Sequence, residues 1–130
     1  MSLDEALGMY AEAAQDLSSA SLALAAGNHY NVVDLCNQVA EKALQAIYVL
    51  RHDARATYDH DLKALGELVG APQNILDDLA LLTPYHPEVY LERRTPEEAD
   101  DEVGPETAND LLQRTRQILR WARPIVLASN

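Results

Sequence analysis

The sequence predicts an all-α protein: one domain over residues 1–130, folded as an antiparallel up-down helical bundle of three long helices and two short ones. Ala and Leu occur 20 times each, whereas Val and Ile together occur 12 times and Phe is absent, a composition that favours helices over strands. Apolar residues recur at steps of three and four positions over long stretches, which is the period of an amphipathic helix. A chain of 130 residues suits a single domain with one core.

The first long helix is predicted to begin at Leu3 and to end at Gly27 and Asn28, since both tolerate the left-handed backbone that closes a helix. We expect one stripe of this helix to face the core: Leu3, Leu7, Tyr10, Ala14, Leu17, Ser21 and Leu24. Small residues are expected on its outer side, where they and an exposed Trp121 would offer an oligomer contact: Ala11, Ala13, Ala20 and Ala23.

The second long helix, from Tyr30 to about Leu50, is apolar over more than one stripe, so we expect it to be central and packed on two sides. Its remaining face is polar, carrying Asp34, Asn37, Gln38, Glu41 and Gln45. A polar loop is predicted over residues 51–58.

Shorter elements are predicted next. Asp59 is expected to cap a third helix that ends at Gly70, and Pro72 suits the first position of a fourth helix. Residues 95–98 (TPEE) have the pattern of a capping box with proline at the first helical position. The last long helix is expected over residues 106–127.

The net charge excludes several classes of function. The chain carries 10 Lys and Arg against 21 Asp and Glu, a formal charge of −11. Such a surface repels polyanions, so broad nucleic-acid binding and adsorption to anionic lipid are disfavoured. No apolar run approaches the ~20 residues that span a bilayer, and the N-terminus does not resemble a signal peptide. We therefore expect a cytoplasmic protein, with Cys36 as a buried thiol.

Residues 37–46, NQVAEKALQA, followed after a polar loop by HDL at 60–62, resemble the HEPN domain. That family shows a stretch like Ala-Gln-Gln-Ala-Ala-Glu-Lys-Ala-Leu-Lys-Ala and then Thr-His-Asp-Leu. Residues 16–17 and 26–30 also match positions of its first hairpin, while its later Arg-Tyr-Pro is absent here. The resemblance implies a prokaryotic protein that dimerises and works with a minimal nucleotidyltransferase, in some cases as toxin and antitoxin. It also implies a non-catalytic binding module as the leading function.

The alternative is a metal-independent ribonuclease toxin, since many HEPN proteins carry Arg-x(4–6)-His with His as acid/base and Arg stabilising the phosphate. Arg55 and His60 fit that spacing. With eight Arg and four His, however, chance gives about 0.7 such matches, and the family's motif belongs near the last long helix. We therefore predict no catalytic residues, and Arg55 with His60 only under the alternative.

The polar face of the central helix is the main candidate for a ligand or partner site, because its residues share one face at steps of three and four; a solvated face is the other interpretation. A nucleotide there would need cations for its phosphates, and the nearest in sequence are Lys42, Arg51, Arg55 and Lys63. The predicted binding residues are Asn37, Gln38, Glu41, Lys42, Gln45, His60, Arg93 and Arg94. No Glu-x-x-His or other ligand spacing predicts a metal, and no cofactor is expected. Arg116, Arg120 and Arg123, on one flank of the last helix, are expected to pair with the excess acids.

Overall fold

The computed structural model describes residues 2–128, which form six α-helices and two short 3-10 helices. The α-helices are α1 (Ser2–Ala25), α2 (His29–His52), α3 (Leu62–Leu68), α4 (Gln73–Leu82), α5 (Pro87–Tyr90) and α6 (Pro96–Leu127), and the 3-10 helices are Thr83–Tyr85 and Leu91–Arg93. The all-α prediction is confirmed. The count of three long and two short helices is wrong, because the proline-containing segment before α6 also coils into helical turns.

The capping box at the start of α6 forms as predicted. The Glu98 amide donates to Thr95 Oγ1 and the Thr95 amide donates to the Glu98 carboxylate, each at 3.2 Å. The helix that begins there continues to Leu127 and is broken only at Gly104, whose φ of 68° and ψ of 170° are not helical. The helix start predicted at residues 95–98 and the long helix predicted over 106–127 therefore belong to the two arms of α6, before and after Gly104.

Two other predicted helix starts shift by a residue or two. Asp61, not Asp59, caps α3, its carboxylate accepting the Ala64 amide at 3.1 Å. The left-handed backbone of His60 (φ 75°) lies between the two aspartates and moves the start of the helix. Pro72 is the residue before α4 and not its first residue. The second helix also continues to His52, into the predicted loop.

The long helices have defined relative directions. Asp16 of α1 pairs with Lys42 of α2 at 2.7 Å. Glu5, near the start of α1, pairs with Arg55, just after the end of α2, at 3.3 Å, so α1 and α2 are antiparallel. In contrast, α2 and α6 run in the same direction, since the Tyr30 amide donates to Asp100 Oδ1 at 3.0 Å near the start of both helices. Because of this parallel pair, the predicted up-down order is not confirmed.

The central position of α2 is confirmed, with Leu44 and Ile47 fully buried between the other helices. The predicted inward face of α1 is wrong. Its buried residues are Ala6, Met9, Ala13, Ala20 and Ala23. Alanine and leucine are both apolar in a periodic pattern, but alanine permits closer packing of α1 on α2. Three of the four alanines that were expected outside thus lie in the core, and only Ala11 is exposed.

The stripe predicted to face the core lies at its edge. Leu7, Tyr10, Ala14, Leu17 and Leu24 are partly buried against the core. Tyr10 faces α6, its hydroxyl donating to the Leu119 carbonyl at 3.4 Å. None of the helices in residues 2–128 is both long and apolar enough to cross a membrane.

Candidate ligand-binding site

A pocket of about 340 Å³ opens between α1, α2 and the loop that follows α2. Its lining residues are Met9, Glu41, Lys42, Gln45, Arg55, Ala56 and Tyr58. Positions 41 and 42 share one side of α2 with position 45, which lies four and three residues further on, one helical turn away. The pocket therefore unites part of the predicted polar face with residues brought by the loop.

Gln45 forms the back of this pocket and holds the loop in place. Its side chain is only 4% exposed. The Gln45 amide donates to the Ala56 carbonyl at 3.0 Å, and the Ala56 amide donates to Gln45 Oε1 at 2.8 Å. Both backbone groups of Ala56 are thus satisfied by a single side chain, which fixes the neighbouring Arg55 beside α2.

The charged residues that line the pocket are two cations, Lys42 and Arg55, and one carboxylate, Glu41. Lys42 pairs with Asp16 at 2.7 Å, and the Arg55 guanidinium, 64% exposed, pairs with Glu5 at 3.3 Å. Glu41 makes no hydrogen bond or ion pair with any described residue. Burial raises the pKa of the Glu41 carboxyl, and the charges of Arg55, His60 and Lys42 oppose that rise. Glu41 is thus a partly desolvated acceptor that faces a pocket lined by cations.

Replacing Glu41 by glutamine is expected to raise the melting temperature at pH 7 and to have little effect at pH 4. The raised pKa means that ionising Glu41 disfavours the folded state. This cost is absent below the ordinary value of 4.5 and develops as the pH rises through the pKa of the folded protein. Thermal unfolding followed by circular dichroism at both pH values measures the difference. Glu67→Gln, at an exposed position of α3, is the control, and a gain of equal size at pH 4 and pH 7 would contradict the assignment.

His60 lies outside the pocket, packed into a cluster of its own. Its Nε2 pairs with Glu88 Oε2 at 2.7 Å, and its ring lies 4.0 Å from that of His86 and edge-on to Tyr58 at 5.7 Å. Burial and then the charge of His60 lower the pKa of His86. His60 Nδ1 and the Tyr58 hydroxyl are buried without a hydrogen-bond partner among the described residues. His60 thus anchors the loop to the segment around α5.

Asn37 and Gln38 have local contacts away from the pocket. Asn37 is 3% exposed, and its amide donates to the Val33 and Leu82 carbonyls, both at 3.1 Å, tying α2 to α4. Gln38 is exposed and donates to Asp34 at 3.4 Å.

Arg93 ends the 3-10 helix Leu91–Arg93 and Arg94 follows it; neither lines the pocket. The Arg94 guanidinium covers the Tyr90 ring at 3.9 Å and donates to Glu102 at 2.6 Å, while Arg93 is exposed. Of the predicted binding residues, only Glu41, Lys42 and Gln45 therefore meet in the pocket, together with Arg55. Met9 was missed because the predicted inward face of α1 was wrong. Ala56 and Tyr58 were missed because no periodic pattern shows which loop residues fold back onto α2.

The three arginines on one flank of α6, Arg116, Arg120 and Arg123, form no ion pair with a described carboxylate. The expectation that they pair with the excess acids is wrong. Arg116 Nη2 donates to Ser21 Oγ at 2.7 Å.

The described residues contain no group of three or more His, Cys, Asp or Glu side chains arranged to hold a metal ion. The pocket is suited to non-covalent binding. Arg55 and Lys42 can bind an anionic group, Glu41 can accept from amino or hydroxyl groups, and Met9 with the Tyr58 ring can pack against a flat apolar surface.

Comparison with known proteins gives a family and a fold. The family model of the HEPN domain matches residues 8–125. The crystal structure of a protein from Thermus thermophilus is similar with a TM-score of 0.79 at 21% identity, covering 93% of this chain and 98% of that one. The crystal structure of an archaeal HEPN homologue has a TM-score of 0.77 at 22% identity, covering 94% and 98%. Comparison with curated proteins gives no match.

Proposed function

The chain belongs to the HEPN domain family, and from that premise we propose that it is a non-catalytic binding and dimerisation module whose pocket takes a nucleotide. One observation carries the ligand proposal: Glu41, a partly buried carboxylate without a partner among the described residues, faces a pocket that also holds Lys42 and Arg55. This combination of one acceptor and two cations suits a ligand that has both donor groups and negative charge.

A nucleotide has the required chemistry. Its phosphates would bind Arg55, whose planar guanidinium matches phosphate oxygens, and Lys42 as a second charge. Glu41 would accept from an amino group of the base or from a ribose hydroxyl. Met9 and Tyr58 would pack against the base. The pocket volume of about 340 Å³ lies within the roughly 300–1,000 Å³ of typical small-molecule sites.

We further propose the cellular setting that the family resemblance implies. The protein would be prokaryotic and cytoplasmic, would dimerise, and would work with a minimal nucleotidyltransferase, as one half of a toxin–antitoxin pair. Co-purification of the tagged chain from its native host, followed by mass spectrometry, tests the partner. Recovery of a nucleotidyltransferase in stoichiometric amount supports the proposal, and recovery of this chain alone contradicts it.

The geometry supports binding over RNA cleavage. A general acid or base must come within about 2.6–3.2 Å of the proton that it transfers. His60 Nε2 pairs with Glu88, its Nδ1 is buried without a hydrogen-bond partner among the described residues, and the ion pair of Arg55 is with Glu5. These contacts support a role for Arg55 in binding over a catalytic pairing of Arg55 with His60.

A single-stranded RNA incubated with the protein is accordingly expected to stay intact. The RNA is followed by denaturing gel electrophoresis with the wild type and with Arg55→Ala and His60→Ala. His52→Ala, at an exposed position, is the control for contaminating activity. Cleavage by the wild type and the control that disappears in both test variants would overturn the non-catalytic proposal and establish the ribonuclease.

A further inference from the structure

The loop at residues 53–61 is held to the helices on both sides of Tyr58. Before Tyr58, a side chain of α2 binds both backbone groups of Ala56. After Tyr58, the side chain of His60 contacts residues of the segment that precedes α6. Tyr58 itself lines the pocket, and its ring lies edge-on to that of His60 at 5.7 Å. The position of this wall of the pocket therefore depends on the contacts of His60.

His60 and His86 form a close pair, which we call the histidine pair. Their rings lie 4.0 Å apart. His60 Nε2 pairs with Glu88 Oε2 at 2.7 Å, and His60 Nδ1 is buried without a hydrogen-bond partner among the described residues. The backbone of His60 has a left-handed φ of 75°, which is uncommon for a residue with a Cβ. The ring contacts thus hold His60 in a conformation that is unfavourable on its own.

His86 is bound in its neutral form. Its Nδ1 accepts the Glu88 amide at 3.2 Å, at the start of α5, so this nitrogen carries no proton in the structure. A proton taken up at Nδ1 would break this hydrogen bond and would place a positive charge 4.0 Å from the His60 ring. Burial, and then the charge of His60, lower the pKa of His86 from its ordinary value of 6.5. Neutral His86 is therefore part of the closed arrangement of the loop.

Acidic groups lie around the histidine pair on the elements packed against it. The titratable groups near it are Asp34 and Glu41 of α2, Tyr58, Asp59 and Asp61 of the loop, and Glu88 of α5. These carboxylates stabilise one positive charge on the pair, since opposite charges attract across such short distances. A second positive charge is repelled by the first. The pair therefore tolerates one proton beyond its neutral form and is destabilised by the next.

We propose that the uptake of a proton by His86 separates the histidine pair and releases the loop, so that mild acid opens the ligand pocket on the side of Tyr58. The proposal rests on the proposed function for its ligand and names a regulation of the same site. The closed arrangement keeps its full stability above the ordinary pKa of 6.5 and loses it as the pH falls from there through the lowered pKa of His86. Arg55 stays in place, because the hydrogen bonds between Gln45 and Ala56 do not titrate.

The release is measured without ligand on the full chain. NMR signals of the histidine rings report the protonation of each histidine between pH 7.5 and pH 5. Hydrogen exchange of backbone amides, corrected for the direct effect of pH on exchange, reports the opening of residues 57–61 and 86–90. We expect exchange in both segments to rise about threefold or more as His86 gains its proton. Exchange of the Ala56 amide, which Gln45 holds, should not change.

The effect on the pocket is measured by titration with ATP at pH 7.5 and pH 5.5. We expect binding to weaken about fivefold or more at the lower pH, because a base loses its stacking on Tyr58. The terminal phosphate of ATP also gains a proton in this range, which affects the wild type and every variant alike. The relevant quantity is therefore the difference between proteins in the ratio of the two Kd values.

His86→Asn separates titration from contact. Asparagine can still accept the Glu88 amide, since it is a favoured residue before a helix, but it gains no proton in this range. We expect its loop to stay protected at pH 5.5 and its ATP affinity to change only through the protonation of ATP. His52→Asn, which removes an exposed histidine at the end of α2, is the matched control and should behave like the wild type.

Each failure has a separate meaning. Wild-type exchange that does not rise as His86 is protonated would overturn the proposal, and so would an equal rise in His86→Asn. These two results do not involve ATP, so they leave the proposed function standing. Release of the loop without any change in ATP affinity would reject its control of the pocket. Release of the loop in a protein that binds no ATP would support the titration of the histidine pair and overturn the nucleotide site.

Discussion

Replacing Gln45 by alanine is expected to lower the free energy of unfolding by roughly 2–4 kcal/mol. Gln45 is almost fully buried and satisfies both the amide and the carbonyl of Ala56. Without it, these two groups lose their hydrogen bonds in a buried place, where each unpaired group costs about 1–3 kcal/mol, and a cavity opens behind the pocket. Water that enters the opened space can hydrogen-bond to these groups, so we expect the loss of stability to be near the lower end of the summed costs.

Urea unfolding followed by circular dichroism measures this loss. Gln38→Ala is the matched control, because the same residue type lies on the same helix but is exposed and donates one side-chain hydrogen bond, to Asp34; its effect should stay within about 0.5 kcal/mol. Equal losses in the two variants would show that the Gln45–Ala56 contacts do not hold the loop. Contacts other than those between Gln45 and Ala56 would then hold Arg55 beside α2.

Replacing Arg55 by glutamine is expected to weaken ATP binding at least tenfold. A hydrogen bond to a charged group contributes about 1.5–3 kcal/mol, and about 1.4 kcal/mol corresponds to a factor of ten in Kd. Stability should change little, because the ion pair of Arg55 with Glu5 is exposed and such pairs contribute about 0–1 kcal/mol. The variant therefore separates binding from folding.

Isothermal titration calorimetry with ATP compares the Kd of the wild type with that of Arg55→Gln. Arg93→Gln removes the same charge from an exposed position outside the pocket, so it controls for the general attraction of ATP to any cation. If Arg55→Gln and Arg93→Gln bind ATP equally well, the ligand lies elsewhere. Higher salt should weaken the wild-type affinity, since phosphate contacts are screened.

The local features of the fold were predictable from the sequence, because they depend on residues close in the chain. The Thr95–Glu98 capping box and the central position of α2 are confirmed. The inward face of α1 was not predictable, since Ala13 and Leu17 are both apolar and only the distance between α1 and α2 decides which one is buried. Likewise, nothing in the sequence showed that the backbone of His60 turns left-handed and moves the cap of α3 to Asp61.

The candidate site likewise has one part that the sequence predicts and one part that depends on tertiary contacts. Helical spacing alone brings Glu41, Lys42 and Gln45 to one side of α2. Arg55 was singled out for its charge and for its spacing from His60 in the sequence. Its place beside Glu41, however, depends on the hydrogen bonds between Gln45 and Ala56, which are eleven residues apart. Tyr58 enters only through the folding of the loop. Tertiary packing decides these positions, and no periodic pattern encodes it.

The proposed function of this HEPN domain is nucleotide binding without hydrolysis. The most direct test is a calorimetric titration of the wild-type protein with ATP, followed by chromatographic analysis of the nucleotide recovered from the cell. We expect saturable binding at one site per chain and the recovery of intact ATP. The absence of saturable binding, or the recovery of a hydrolysed product at a rate that depends on Arg55 and His60, would contradict it.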